Sequence, residues 1–137
     1  MNETNGRIMQ RAFAEIMTRG NVDAIDQLFA SDVTGHDTAG GTFGREEFRE
    51  GVLAMLSAFS DRQVEMADQV IAGDTVATRW QAPGVHSGAF KGIPATGRHV
   101  SMTGISITRL AGGKIVETWE VTDDAGLLRQ VGVLPSA

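Results

Sequence analysis

One carboxylate and one indole near the end of the chain have the spacing that proton-transfer chemistry would use. Trp119 and Asp123 lie four residues apart in what reads as the last β-strand, and on a regular strand such residues share a face. Aspartate has a pKa of about 3.9 in water, and burial against an apolar ring raises it because desolvation penalises the charged form. A carboxylate whose pKa approaches neutrality can remove and return a proton. The spacing makes Asp123 a candidate general acid and base; the alternative is that Asp123 only caps the following helix.

The histidines are the next candidates. His36 and His86 each follow a strand-like segment and are bordered by glycine or small residues, so each can line the mouth of a pocket. A histidine there can donate to a substrate carbonyl or shuttle protons; the alternative for both is a loop histidine bonded to backbone or solvent. His99 begins a strand and is expected to be solvated. None of the three has the short-range pairing typical of zinc sites, so the sequence predicts no metal.

Aromatic side chains are candidates for ligand contact. A pocket for a flat ligand can be lined by Trp80, Trp119 and Phe90, although ordinary core packing explains these side chains equally well. The glycine-rich loop over residues 84–97 lacks the lysine–serine ending of a phosphate-binding loop and the dinucleotide-binding pattern. We expect this loop to form a pocket rim or a subunit contact rather than a phosphate-binding site, and we expect no cofactor.

The bulk composition is that of a globular domain. The chain has 137 residues, of which 42% are hydrophobic and 21% charged, and its formal net charge is −5. The acidic balance argues against nucleic acid or an anionic membrane as partner. The absence of cysteine excludes disulfides and thiolate catalysis. No apolar run reaches the roughly 20 residues that span a bilayer, and the polar N-terminus is unlike a signal peptide, so we expect a cytoplasmic protein.

The secondary-structure elements that must position these residues are predicted to be helices first and then strands along the chain. Apolar residues at helical spacing predict three helices, over residues 8–17, 22–29 and 45–58. The apolar period then changes to two, which predicts strands over residues 64–70, 75–82, 99–110 and 115–121, followed by a short terminal helix. The alternation slips near Gly104, which predicts a β-bulge there. This order predicts an α+β fold in which helices cover one side of a curved sheet and leave a pocket.

Three blocks of sequence carry a family resemblance. They are residues 73–77 (GDTVA), residues 86–98 (HSGAFKGIPATGR), and residues 113–132, which include GKIVETW, Asp123 and LLRQVG. Together they resemble the SnoaL-like polyketide cyclase family, of the nuclear transport factor 2-like fold. The resemblance implies one domain over residues 1–137, built as a cone-shaped barrel of a curved, mainly antiparallel sheet covered by N-terminal helices. It also implies a homodimer or homotetramer.

The resemblance implies a reaction as well. Characterised members close a ring by intramolecular aldol condensation, with one aspartate as acid and base and without metal or Schiff base. Asp123 matches that aspartate, and His86 or His36 would polarise or orient the substrate, a small hydrophobic molecule that contains carbonyl groups. In some members a histidine on the preceding strand assists, but the corresponding residues 107–109 contain none.

Two other functions remain open. One is a non-catalytic module of the same fold that binds a small molecule or mediates oligomerisation, which the missing strand histidine favours. The other follows from related folds that include epoxide hydrolases with an Asp–Arg–Asp site, here Asp68, Arg79 and Asp123. Asp68 lies among apolar residues of its strand and is a candidate substrate contact. Because Arg79 and Trp80 must face opposite sides of their strand, a surface salt bridge is the stronger expectation for Arg79.

Overall fold

The computed structural model describes residues 4–135 and shows helices packed against one curved sheet. The helices are α1 (Asn5–Ala12), which a π-helical segment (Phe13–Thr18) continues, α2 (Ala24–Leu28), α3 (Arg45–Ala58) and α4 (Asp124–Gln130). The strands are β1 (Phe29–His36), β2 (Thr42–Phe43), β3 (Phe59–Ser60), β4 (Glu65–Ala72), β5 (Thr75–His86), β6 (His99–Ala111) and β7 (Lys114–Thr122). Among the described residues, no helix is long and apolar enough to cross a membrane.

The strands form a single open sheet. Their order is β2-β1-β7-β6-β5-β3, and β4 pairs with β5 beside β3. The pairing of β1 with β7 is parallel, and the other pairings are antiparallel. The predicted α+β class with a curved, mainly antiparallel sheet is confirmed, and the sheet does not close on itself.

Local signals explain most of the element boundaries. The Thr4 hydroxyl caps α1 by accepting from the Arg7 N–H. After the π-helical segment, Gly20 has a φ of 73°, a left-handed conformation that glycine adopts at low cost. The third helix occupies the predicted residues. The second was predicted too long, because Phe29 leaves the helix and begins β1, where it pairs with Ile115.

The core lies between α1, α2 and the inner face of the sheet. Its most deeply buried side chains come from both layers: Ile8, Ile16, Ile25, Leu28, Val76, Leu110 and Ile115. A smaller cluster lies under α4 and joins it to the end of α3 and to β6: Ala58, Phe59, Val100, Leu127 and Val131. Burying a side chain of this size contributes about 1.5–3 kcal/mol, so these two clusters fix the helices over the sheet.

A β-bulge in β7 determines which of its side chains face inward. Leu110 pairs with Ile115, but the preceding residue of β6, Arg109, pairs with Glu117. Val116 is therefore an extra residue without a partner on β6, as in a β-bulge. Ile115 faces the core before this point, and Thr118 is buried after it, so the inward parity of the strand changes from odd to even numbers.

The bulge predicted at Gly104 is wrong. The pairing of β5 with β6 runs without interruption from Val85–His99 to Thr75–Arg109, and Trp80 lies opposite Gly104. The apolar pattern only looked slipped, because β6 points Ser106 inward and Ile105 outward. Gly104 is needed for a different reason. A Cβ there would overlap the Trp80 ring and lie 2.6 Å from the Val121 carbonyl oxygen.

The outer face of β6 and β7 carries an exposed apolar cluster. Ile105 pairs with Val121, and Ile107 pairs with Trp119; all four side chains are between 39% and 54% exposed. Contiguous apolar surface of this kind is often found at interaction sites. The expected homodimer or homotetramer nevertheless stays a prediction, because the structure contains one chain.

The fit of Trp80 over Gly104 gives a stability prediction. We expect Gly104→Ala to lower the free energy of unfolding by about 1–3 kcal/mol, because the added methyl overpacks against the indole and a backbone carbonyl. Urea denaturation measures this change. Gly51→Ala is the matched control: it lies within α3 with nothing within 4 Å of the added Cβ, so it should stabilise by about 0.5–1 kcal/mol. Equal effects of the two substitutions would contradict the prediction.

Candidate functional site

A cavity of about 210 Å³ lies between the helices and the inner face of the sheet. Its wall is mostly apolar and combines helix residues, residues of β1, β2, β5 and β6, and one residue of the segment before β4: Met9, Ala12, Phe13, Ile16, Met17, Phe29, Phe43, Phe48, Met55, Val64, Trp80, Ala82 and Met102. Glu120 and Thr122 complete the lining. Of the described residues that border this cavity, Glu120 is the one with an ionisable side chain.

The fold brings Glu120 to the cavity through the bulge in β7. With the parity changed at Val116, Thr118, Glu120 and Thr122 share the inner face of the strand. Glu120 pairs across the sheet with Ser106 of β6. The residue is half-buried and borders the cavity.

Two hydroxyl groups hold the carboxylate in place. The Ser106 Oγ–H donates to Glu120 Oε2 over 2.5 Å, and the Thr118 Oγ1–H donates to Oε1 over 2.8 Å. The Trp80 Nε1–H, which can only donate, points at Ser106 Oγ at 3.2 Å. The indole thereby directs the one hydroxyl hydrogen of Ser106 toward the carboxylate. These contacts form a chain from Trp80 through Ser106 to Glu120.

Burial sets the protonation behaviour of Glu120. Desolvation raises the pKa of this carboxyl above its ordinary value of 4.5, and the hydrogen bonds from Ser106 and Thr118 oppose the rise only in part. A carboxyl with a raised pKa in an apolar cavity is suited to take a proton from a bound molecule and give it back. The site therefore has the parts of a single-residue acid–base catalyst.

Of the residues predicted to form the site, Trp80 is the one in the cavity wall. It is buried there and makes the contact with Ser106. The other six predicted residues lie elsewhere, on the outer face of the sheet or beneath the glycine-rich loop.

Asp123 lies on the outer side of the sheet. Its side chain is exposed, and its Oδ1 accepts from the Gly126 N–H over 2.9 Å as the N-cap of α4. It borders an open groove of about 600 Å³ around Gly104, which does not exclude water. The expectation of a dry carboxylate against Trp119 was wrong in its geometry, and helix capping accounts for the contacts of Asp123.

His86 and Phe90 belong to the packing of the glycine-rich loop. The His86 ring is fully buried against Phe59, and Nδ1 accepts from the Thr96 N–H over 3.3 Å and lies 2.9 Å from Thr96 Oγ1. Phe90 packs on the same Phe59 ring at 5.2 Å. Neither residue lines the cavity. The predicted pocket contacts are therefore replaced by contacts that hold the loop to the end of α3.

His36 and Trp119 meet on the outer face. Their rings stack at 5.1 Å, and His36 Nε2 lies 2.8 Å from Glu117 Oε2. Arg109 bonds the other oxygen of Glu117 at 3.0 Å. The hydrogen bonds from His36 and Arg109 lower the pKa of Glu117. Both predicted residues thus lie across the sheet from the cavity.

Arg79 forms the expected surface salt bridge, and its partner is Asp68. Arg79 Nη2 lies 2.6 Å from Asp68 Oδ2, and both side chains are more than half exposed. Asp68 is therefore not a cavity contact. The Asp–Arg–Asp arrangement has no support from this geometry, because Arg79 and Asp123 lie on the outer face beside the open groove.

Sequence reasoning misses Glu120 because the pattern of the last strand predicts a regular alternation. Counting from the inward Ile115 in steps of two gives Trp119 and Asp123 the inner face, and the extra Val116 reverses that assignment. A usable signal was present in β6, where Ser106 and Thr108 alternate with isoleucines and predict a polar inner stripe. Within residues 4–135, no group of three or more histidine, aspartate or glutamate side chains is arranged to hold a metal ion.

Comparisons with known proteins agree with this architecture. The family model of the SnoaL-like polyketide cyclases matches residues 7–131. IdmH, a candidate polyketide cyclase of Streptomyces antibioticus, is 31% identical and aligns over 96% of this chain and 100% of its own, with a TM-score of 0.83. AclR, a candidate hydroxylase of Streptomyces galilaeus, is 26% identical over 97% of this chain and 83% of its own, with a TM-score of 0.89.

A third solved structure supports the fold alone. It is a protein of ketosteroid-isomerase-like fold from Catenulispora acidiphila, 24% identical over 96% of each chain, with a TM-score of 0.75. No curated protein matches the chain.

The raised pKa of Glu120 predicts a specific dependence of stability on pH. Between the ordinary value of 4.5 and the raised pKa, the folded protein binds more protons than the unfolded chain, so stability falls as pH rises through this window. Glu120→Gln removes the titrating group. We expect the free energy of unfolding of Glu120→Gln, relative to wild type, to improve with rising pH across the window, as measured by urea denaturation at a series of pH values.

Glu117→Gln is the control: its stability relative to wild type should change with pH in the opposite direction. The pKa of Glu117 is lowered, so its contribution to stability is present above 4.5 and disappears as pH falls through the lowered pKa. Stability curves of wild type and Glu120→Gln that stay parallel at every pH would contradict the assignment of a raised pKa to Glu120.

Proposed function

Because the chain belongs to the SnoaL-like polyketide cyclase family, we propose that it is an acid–base enzyme that closes or isomerises a ring in a hydrophobic, carbonyl-containing substrate. Glu120, rather than Asp123, is the proton-handling group in this proposal. The observation that carries it is the placement of one carboxyl with a raised pKa in the wall of an otherwise apolar cavity.

The proposed reaction balances without a second reactant. The Glu120 carboxylate removes a proton from a carbon next to a carbonyl group and leaves an enolate. The enolate carbon bonds to a second carbonyl carbon of the same molecule, and the resulting alkoxide takes the proton from the Glu120 carboxylic acid. An isomerisation uses the same first step and returns the proton to a different carbon.

The surroundings of Glu120 support both the removal of the proton and its return. The apolar wall disfavours the charged carboxylate, which makes it a stronger base than in water, and the hydrogen bonds from Ser106 and Thr118 keep its oxygens oriented. Thr122 provides the second polar side chain of the lining, and its hydroxyl is available to donate to a substrate oxygen. The histidines at positions 36 and 86 have no role in this proposal.

A non-catalytic binding module is the second candidate. The observation that favours it is the near absence of polar groups in the cavity wall, which leaves an enolate oxygen few donors. Such a module would bind the same neutral, apolar class of ligand. Binding without proton exchange would distinguish it from the enzyme.

The test uses a model ketone, since proton removal alone can be followed without the natural substrate. Wild type is expected to accelerate deuterium uptake from D₂O at the α-carbons of β-tetralone, as measured by proton NMR. Glu120→Gln should lower this rate by about 100-fold or more, because general acid–base catalysis contributes on the order of 10²–10⁴-fold. Asp123→Asn should leave the rate unchanged.

Asp123→Asn is a suitable control because asparagine caps helices as well as aspartate does. Circular dichroism verifies that both variants keep the fold. Loss of exchange in Asp123→Asn together with full exchange in Glu120→Gln would reverse the assignment. Binding of the ketone without any acceleration by wild type would favour the non-catalytic module.

A further inference from the structure

The cavity beside Glu120 shares four side chains of its wall with a second apolar groove. The groove, of about 340 Å³, runs along α3, and Glu47, Gly51 and Val52 also line it. The side chains that border both spaces are Met17, Phe43, Phe48 and Met55. These residues form the partition between the inner cavity and the outer groove.

Phe43 is the member of the partition with the least backbone support. It lies in β2, a strand of two residues at the edge of the sheet that pairs with β1. Its ring lies directly over Gly35, where a Cβ would collide with it, and is stacked on Phe48 at 6.3 Å. Phe43 is thus held mainly by its ring contacts, on the one element of the partition that is not a helix.

The volume of the inner cavity limits what can bind beside Glu120. A cavity of about 150 Å³ holds benzene, and pockets for drug-sized ligands run from about 300 Å³ upward. At about 210 Å³, the inner cavity has room for one or two fused rings. A third ring exceeds this volume, and on the side of the outer groove the partition stands in its way.

We propose that Phe43 is a specificity-determining residue that limits the ligand of the inner cavity to a neutral molecule of one or two rings. The cavity wall has no cationic side chain among the described residues, so an anionic ligand beside Glu120 would be left without a partner. A smaller side chain at position 43 joins the inner cavity to the groove and admits a longer ligand. This inference deepens the proposed function, since it takes the same cavity as the ligand site.

The test measures binding by calorimetry, with no turnover required. The probes are cyclohexanone, β-tetralone and the linear three-ring homologue of β-tetralone. Wild type is expected to bind β-tetralone at least about tenfold more tightly than the three-ring ketone, because overpacking against the partition is costly. Phe43→Ala should reduce this preference about tenfold, and Phe43→Leu should give an intermediate value.

Phe90→Ala is the matched control, because Phe90 is half-buried but borders neither space. It should leave the size preference unchanged. Equal affinity of wild type for the two- and three-ring ketones, an unchanged preference in Phe43→Ala, or no binding of any ketone would overturn the inference.

The outcomes are separable from those of the exchange experiment. A size limit that depends on Phe43, found together with no acceleration of deuterium uptake, would leave this inference standing and reject the catalytic function. Acceleration that depends on Glu120, found together with no effect of Phe43 on size preference, would support the catalytic function and reject this inference.

Discussion

The site depends on one extra residue in β7. Val116 has no partner on β6, so the residues on either side of it face the core with opposite parity. Ile115 is fixed inward by its burial in the main core, and the bulge then turns Thr118 and Glu120 inward as well. A strand without this bulge would present Trp119 to the cavity and Glu120 to solvent. Core packing therefore determines, through one backbone irregularity, which carboxyl is available for chemistry.

Two glutamates of the same strand show how strongly the surroundings of a carboxyl group determine its pKa. Glu117 lies on the outer face with Arg109 and His36 as partners, and its pKa is lowered. Glu120 lies three residues on, faces an apolar cavity with only neutral hydroxyl partners, and has a raised pKa. An unpaired buried charge is costly, so Glu120 gains proton affinity from the same burial that stabilises the fold around it.

Much of the fold could be predicted from the sequence, because long helices and strands have strong periodic signals. The third helix, the order of β4 to β7 and α4 that follow it, and the surface salt bridge of Arg79 followed from spacing and alternation. The short strands β2 and β3, and β1 as a strand of the sheet between α2 and α3, were not predicted. The site was harder to predict because it depends on which side chains of β7 face inward, and a bulge leaves little trace in the amino-acid composition. The isoleucines of β6 added to the error: they face outward, so an apolar pattern indicated the wrong side of the strand.

The most direct test of this account is the titration of the Glu120 side-chain carboxyl carbon by carbon NMR, with Glu120→Gln used to assign the signal. The account predicts a midpoint above the ordinary value of 4.5, since burial outweighs the hydrogen bonds from Ser106 and Thr118. A midpoint at or below 4.5 would mean that the carboxyl is solvated or fully compensated. It would then have no special affinity for a proton, and the central claim would be contradicted.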